Sequence, residues 1–147
     1  MSRRTLADAR QALMVRRLQQ EAALHKLRAQ QQRVQAAHGN LDQSIDKHLL
    51  SEEAWGASLD HIKDAGMIGL WRTHTITLRN EVRAAELGLA EETASMSDLH
   101  LVWGHQTRLA EAVQGVVRTA FRKVQRIEDE RRLGAAEDAR LARRTEG

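Results

Sequence analysis

The chain has 147 residues, with no proline, tyrosine or cysteine and a single phenylalanine, and its formal net charge is +3. So few large apolar side chains cannot fill a globular core, and the lack of cysteine excludes disulfides and thiolate metal sites. Abundant helix formers without proline indicate long helices packed along narrow stripes. Charges interrupt every apolar segment, so the sequence predicts neither a membrane span nor a secretory signal, and we expect a cytoplasmic protein.

The charges are unevenly distributed along the chain. Lys and Arg outnumber Asp and Glu by nine to four in residues 1–50 and by ten to seven in residues 101–147, whereas the acidic residues lead by nine to four in residues 51–100. If the chain folds back about its middle, the result is positive at one end and negative at the other.

The first predicted helix spans residues 1–49. One seven-residue repeat carries its main apolar row, which only Gln20 interrupts: Leu6, Leu13, Leu27, Val34 and Leu41. We expect the second row four residues further along each time, at Arg10, Arg17, Leu24, Gln31, His38 and Ile45. At least half of this second row is polar, so the stripe is weak.

Residues 50–69 predict a corner that contains a short helix. Ser51 can cap this helix, and two glutamates follow in the first turn, where the helix dipole favours anions. Three apolar side chains then share one face: Trp55, Leu59 and Ile62. Two glycines mark the expected stop: Gly66 and Gly69.

The second long helix, residues 70–144, follows a strong heptad pattern that starts just before it. One row reads Ile68, Thr75, Val82, Leu89, Met96, Trp103, Ala110, Val117 and Val124. The other row reads Trp71, Leu78, Ala85, Glu92, Leu99, Gln106, Val113, Ala120 and Ile127. Only Thr75, Glu92 and Gln106 are polar, which is typical of a coiled coil.

These elements predict an all-α fold: an elongated antiparallel two-helix coiled-coil hairpin with a short helix at the corner, forming one domain over residues 1–147. Folding the two stripes together removes both from water, which neither helix can do alone. Pairing between two chains would satisfy the same stripes, and the sequence leaves that alternative open.

No pattern in the sequence points to chemistry. The seven histidines are scattered, and the closest pair, His100 and His105, is five residues apart, where an i, i+4 pair would share a helix face. Neighbouring carboxylates diverge on a helix, and the glycines form no phosphate loop. We therefore predict no catalytic, metal or cofactor site and no enzyme activity. Acidic neighbours and few aromatics also argue against nucleic acid as a partner.

Three segments of this chain together carry a resemblance: Leu13 to Ala22, the corner around Trp55, and Arg131 to Arg140. They resemble the flagellar export protein FliJ family and, more distantly, the YscO-type stalk proteins of virulence type III secretion. The run from Leu13 to Ala22 is similar to the family's opening pattern of leucine, basic pair and Glu-Ala. The apolar corner around Trp55 matches an aromatic and aliphatic turn segment. Arg131-Arg132 followed by Glu137-Asp138-Ala139-Arg140 is similar to a basic stretch before an acidic pair, although Gly134 departs from the pattern.

The resemblance implies a non-enzymatic stalk that inserts its open end into the hexameric export ATPase and couples it to the export gate. Export chaperones are further implied partners, and the expected location is cytoplasmic, peripheral to the inner membrane at the flagellar base. The implied ATPase contacts are Arg16, Arg17, Glu21, Arg131, Arg132, Glu137 and Asp138. At the corner, two roles are open for Trp55: docking a partner or clasping the tip.

Three alternatives remain open at this point. A structural coiled coil that homo-oligomerises as a scaffold would use the same stripes, and a YscO-type stalk would serve a virulence secretion system instead of a flagellum. A helical adaptor for nucleic-acid machinery is the third alternative.

Overall fold

The computed structural model describes residues 2–61 and 64–146. Helix α1 spans Ser2–Ser58, a single 3₁₀ turn follows at Leu59–His61, and helix α2 spans Ala65–Thr145. The two long helices pack against each other, and no strand occurs within the described ranges. Neither of these helices has a stretch long and apolar enough to cross a membrane, as far as the described residues show.

Packing contacts divide the chain into two units. Unit 1 combines Met1–Leu24 with Val102–Gly147, and unit 2 is His25–Leu101, so each unit contains a part of α1 and a part of α2. Lys and Arg outnumber Asp and Glu by 15 to nine in unit 1, a net charge of +6. In unit 2 the counts are eight and 11, a net charge of −3.

The two predicted rows of α2 are withdrawn from water. Sixteen of their 18 residues are buried or half-buried, and the exceptions are Ile68 and Ile127 at the two ends of the pattern. Heptad spacing keeps these residues on one side of the helix, so they face α1 together.

The first predicted row of α1 is also withdrawn from water, but the second row was placed wrongly. Of the residues four positions further along, only Leu24 is sheltered. The sheltered row lies three positions further along instead: Ala9, Arg16, Ala23, Gln30, Ala37, Ser44 and Ser51. Both spacings bring a residue near the same face of a helix, but the observed row consists of small or polar residues. Helix α1 therefore lays a leucine row and a row of mostly small side chains against α2.

Few side chains between the helices are fully shielded from solvent. The buried apolar residues are Leu6, Ala23, Leu27, Val34, Leu78, Ala110 and Val124, and the buried polar ones are Gln30 and Thr75. A thin, partly polar stripe gives limited hydrophobic stabilisation, because that stabilisation grows with the apolar area removed from water.

The corner differs from the sequence prediction. Helix α1 does not end at residue 49 but runs through Ser51 to Ser58, so Ser51 caps no new helix and Trp55 lies in the last turns of α1. Asp64 is the residue that caps α2: its Oδ1 accepts the Gly66 backbone N–H at 2.9 Å, and its carbonyl accepts that of Ile68 at 3.3 Å. Gly66 thus begins a helix and does not stop one. Ile62, expected on the corner face, lies outside the described residues.

Glycines occur inside both helices without breaking them. At Gly104 and Gly115 in α2, an added Cβ would meet no other atom within 4 Å, and neither residue has a positive φ. Neither glycine is therefore required by a close approach or by a backbone conformation that other residues avoid.

Candidate partner-binding surfaces

Seven of the eight predicted partner-binding residues belong to unit 1, and Trp55 belongs to unit 2. The seven come from two stretches, one in α1 and one near the end of α2: Arg16, Arg17 and Glu21, then Arg131, Arg132, Glu137 and Asp138. Sequence positions more than 100 residues apart therefore belong to one packed unit of net positive charge.

The three α1 candidates differ in their surroundings. Arg16 is half-buried in the second sheltered row, and its guanidinium donates a hydrogen bond to the Gln19 amide oxygen at 3.2 Å. Arg17 and Glu21 are exposed, one helical turn apart. Arg16 therefore contributes its aliphatic stem to packing, while Arg17 and Glu21 are the α1 side chains that a partner can reach.

The four α2 candidates are all exposed. Within the described part of the chain, none of them pairs with an opposite charge within 4 Å. Glu128, one turn before Arg132, accepts a hydrogen bond from the Arg3 guanidinium at 2.6 Å and forms no ion pair with Arg132. Arg132 thus keeps its donors for another molecule.

An exposed apolar face beside Arg17 and Glu21 escaped the sequence analysis. Met14 and Leu18, one turn apart, have exposed fractions of 59% and 60%, and Val15 lies next to them. The signal was present in the sequence, since these apolar residues lie outside both stripes of α1. Apolar side chains bordered by charged ones are typical of a surface that contacts another protein.

A shallow groove of about 660 Å³ lies elsewhere in unit 1. Small and apolar residues of α2 form most of it: Ala112, Gly115, Val116 and Thr119. Lys123 of α2 and Thr5 of α1 also line the groove. No titratable group other than the lysine is among these residues, so the groove suits apolar contact and offers no set of groups for catalysis.

Trp55 stacks on Trp71 in unit 2. The ring centroids are 4.4 Å apart and the planes are inclined by 12°. The contact joins the end of α1 to the start of α2, which favours the clasping role. The same two rings also line an open groove of about 520 Å³, with Met67, Ser51, Ser58 and His61 around them, so one face of the pair remains available to a partner. We call this the tryptophan groove.

The described residues offer no metal-binding cluster of three or more His, Asp or Glu side chains. The Nε2 atom of His48 is 3.1 Å from a Glu52 carboxylate oxygen. A single pair of this kind on one helix is common and carries no chemistry by itself.

Comparison with known proteins gives no assignment. No protein-family model, no curated protein and no solved structure matches this chain.

Proposed function

We propose that this chain is a non-enzymatic stalk of the flagellar type III export apparatus, which binds the hexameric export ATPase through unit 1 and couples it to the export gate. The observation that carries the proposal is the set of exposed charges without ion-pair partners near the end of α2, in a unit with a net charge of +6. Charges of this kind steer and orient a partner of opposite sign.

The proposed architecture is an antiparallel coiled-coil hairpin. In unit 1, Arg3 contacts Glu128 and Gln20 contacts Thr107, so residue numbers rise along α1 while they fall along α2. In unit 2, Gln30 contacts Glu92 and Trp55 stacks on Trp71 in the same order. Sheltered rows with seven-residue spacing on both helices support coiled-coil packing within this arrangement.

The identity of the partner comes from the resemblance to the FliJ family, and the surface properties support it. A ring lumen lined with acidic groups would attract the basic unit 1, while the apolar face of Met14, Val15 and Leu18 would supply contact area once the stalk is seated. The export gate would then contact unit 2, with its net charge of −3.

A second candidate function is a scaffold protein that homo-oligomerises. The exposed face of Met14, Val15 and Leu18 favours it, because an apolar face on a surface helix is commonly covered by another subunit. A scaffold of this kind would be an obligate oligomer, whereas a hairpin stalk can be monomeric.

The test is capture of the export ATPase of the same cell by the purified full chain. We expect Arg131→Glu with Arg132→Glu to weaken capture at least about tenfold, because reversal turns two attractive contacts into repulsive ones. The matched control is Arg118→Glu with Arg122→Glu, which makes the same charge change at exposed positions of α2 within unit 1.

Capture that survives the first reversal, or falls equally in the control, would remove the specific stalk contact from consideration. Failure of the wild-type chain to bind at low salt, together with a fixed oligomeric mass in light scattering, would favour the scaffold.

A further inference from the structure

Two surfaces of this chain complement each other in charge and apolar character. One is the C-terminal segment of α2, residues 131–145, which belongs to unit 1. The other is the corner, residues 49–71, which belongs to unit 2 and contains the tryptophan groove.

The C-terminal segment is basic and largely uncovered. It has five arginines against Glu137 and Asp138, a net charge of +3, and all of its residues are exposed except the half-buried Gly134. Leu133 has an exposed fraction of 66%. Arg140 and Arg144 follow it by seven and 11 residues, so they lie on the same face of the helix. This face can therefore offer one apolar contact together with two guanidinium groups.

The corner is acidic and apolar. Its described side chains include three carboxylates, Glu52, Glu53 and Asp64, and no lysine or arginine, which gives a net charge of −3. Glu52 and Glu53 are exposed next to the groove-lining Ser51 and Ala54. Apolar side chains are exposed there too: Leu50, Leu59, Met67 and Leu70, the last with an exposed fraction of 73%. A basic helix with exposed leucines is the ligand that such a surface suits.

We propose that copies of this chain associate head to tail, with the C-terminal segment of one copy lying along the tryptophan groove of the next. Arg140, Arg143 and Arg144 face Glu52 and Glu53, and Leu133 and Leu141 cover exposed apolar side chains of the corner. In this heterologous association each added copy fills one corner and brings a free one, so the association can continue. The proposal does not depend on the export function.

The first test is the mass of the purified full chain by sedimentation velocity over about a hundredfold range of concentration. We expect the weight-average mass to rise with concentration beyond that of two chains. Added salt should reverse the rise, because it screens contacts between exposed charges. A mass that stays at one chain, or at one fixed oligomer, over the whole range would overturn the proposal.

The second test uses two variants that each spoil one surface. Arg140→Glu with Arg143→Glu and Arg144→Glu spoils the segment, and Glu52→Lys with Glu53→Lys spoils the corner. We expect each variant alone to associate at least about tenfold more weakly than the wild type. Mixing the two brings an intact segment to an intact corner and also the reversed segment to the reversed corner, whose charges again attract each other, so the mixture should regain association beyond two chains.

The matched control is Arg28→Glu with Arg33→Glu, at exposed positions of α1 outside both surfaces, which should associate as the wild type does. Circular dichroism establishes that each variant keeps its helices. A mixture that remains at the mass of one chain would overturn the proposal, as would a spoiled variant that associates like the wild type.

Discussion

Gln30 links the two helices of unit 2 through a single buried amide. Its side chain has an exposed fraction of 6%, and its Nε2 donates to the Glu92 carbonyl oxygen at 2.9 Å and also to the Glu92 carboxylate. Glu92 is one of only three polar residues in the predicted rows of α2. A polar contact inside an apolar stripe fixes register, because shifting either helix would leave both groups unpaired.

We expect Gln30→Ala to lower the free energy of unfolding by about 1–3 kcal/mol, because the half-buried Glu92 loses its donor. Gln31→Ala, at the exposed neighbouring position, is the control and should change the free energy by less than about 0.5 kcal/mol. Urea denaturation followed by circular dichroism measures both. Equal effects of the two substitutions would contradict a specific role for the amide.

At the scale of the helices, sequence periodicity predicted α2 better than α1. In α2 both rows are largely apolar, so hydrophobicity alone identifies the buried side. In α1 only the leucine row is apolar. The predicted second row contains Arg17 and the observed one contains Arg16, and which of the two is sheltered depends on which small or polar residues fit against α2. The fit depends on the side-chain volumes of α2, and the periodicity of α1 alone gives no information about those volumes.

The corrected row of α1 gives a sharp prediction at Ala23, whose exposed fraction is only 8%. Ala23→Leu should lower the free energy of unfolding by about 1–3 kcal/mol, because extra methylenes must enter a filled space between the helices. Ala22→Leu, one residue earlier and exposed, should be nearly neutral. Thermal unfolding of the two variants compares them directly, and a larger loss for Ala22→Leu would contradict the observed row.

The corner was mispredicted because Ser51-Glu52-Glu53 has the composition of a helix start. The chain stays helical there because Ser51 and Trp55 continue the two sheltered rows of α1, and Trp55 finds Trp71. A local capping signal is worth about 1 kcal/mol, less than the loss of a large aromatic contact.

Alanine substitutions at Asp64 and at Ser51 should therefore have different effects on the stability of the chain. Asp64→Ala should destabilise the chain by about 1 kcal/mol, because the Gly66 N–H at the start of α2 loses its acceptor. Ser51→Ala should be neutral or slightly stabilising, since alanine is a better residue in the middle of a helix. Chemical denaturation of both variants tests this, and a larger loss at Ser51 would indicate that a helix begins there after all.

The candidate surfaces show the same division between what sequence can and cannot supply. Exposed charges such as Arg131 and Arg132 were predictable, because they lie beyond the last residues that keep the heptad pattern. The apolar face of Met14 and Leu18 was also predictable, because these residues lie outside both predicted rows of α1, but it was overlooked. The tryptophan groove depends on the Trp55–Trp71 contact, which joins residues from two different helices.

For the whole molecule, the exposed surface is large. The described chain exposes 11732 Å². A compact globular protein of 16.6 kDa exposes about 7,600 Å², and the unfolded chain about 24,000 Å². The chain thus buries about half of its unfolded surface on folding, against about 70% for a compact domain of this length.

The slope of unfolding free energy against urea concentration should reflect this. That slope scales with the surface exposed on unfolding, so we expect it to be about a quarter lower than for a compact protein of the same length. Measurement at low protein concentration keeps the chain as a single copy. A slope equal to that of a compact protein would mean that more surface is buried in solution than these helices bury by themselves.

Gly104 and Gly115 have a further consequence for how α2 opens. Alanine would fit at both positions and would favour the helix by about 1 kcal/mol each, so the three turns between them hold together less firmly than the sequence could allow. A helix opens most readily where its propagation is weak. These turns can therefore divide α2 into two segments that exchange their amide hydrogens as separate foldons, so that one part can fray or rebind while the other stays intact.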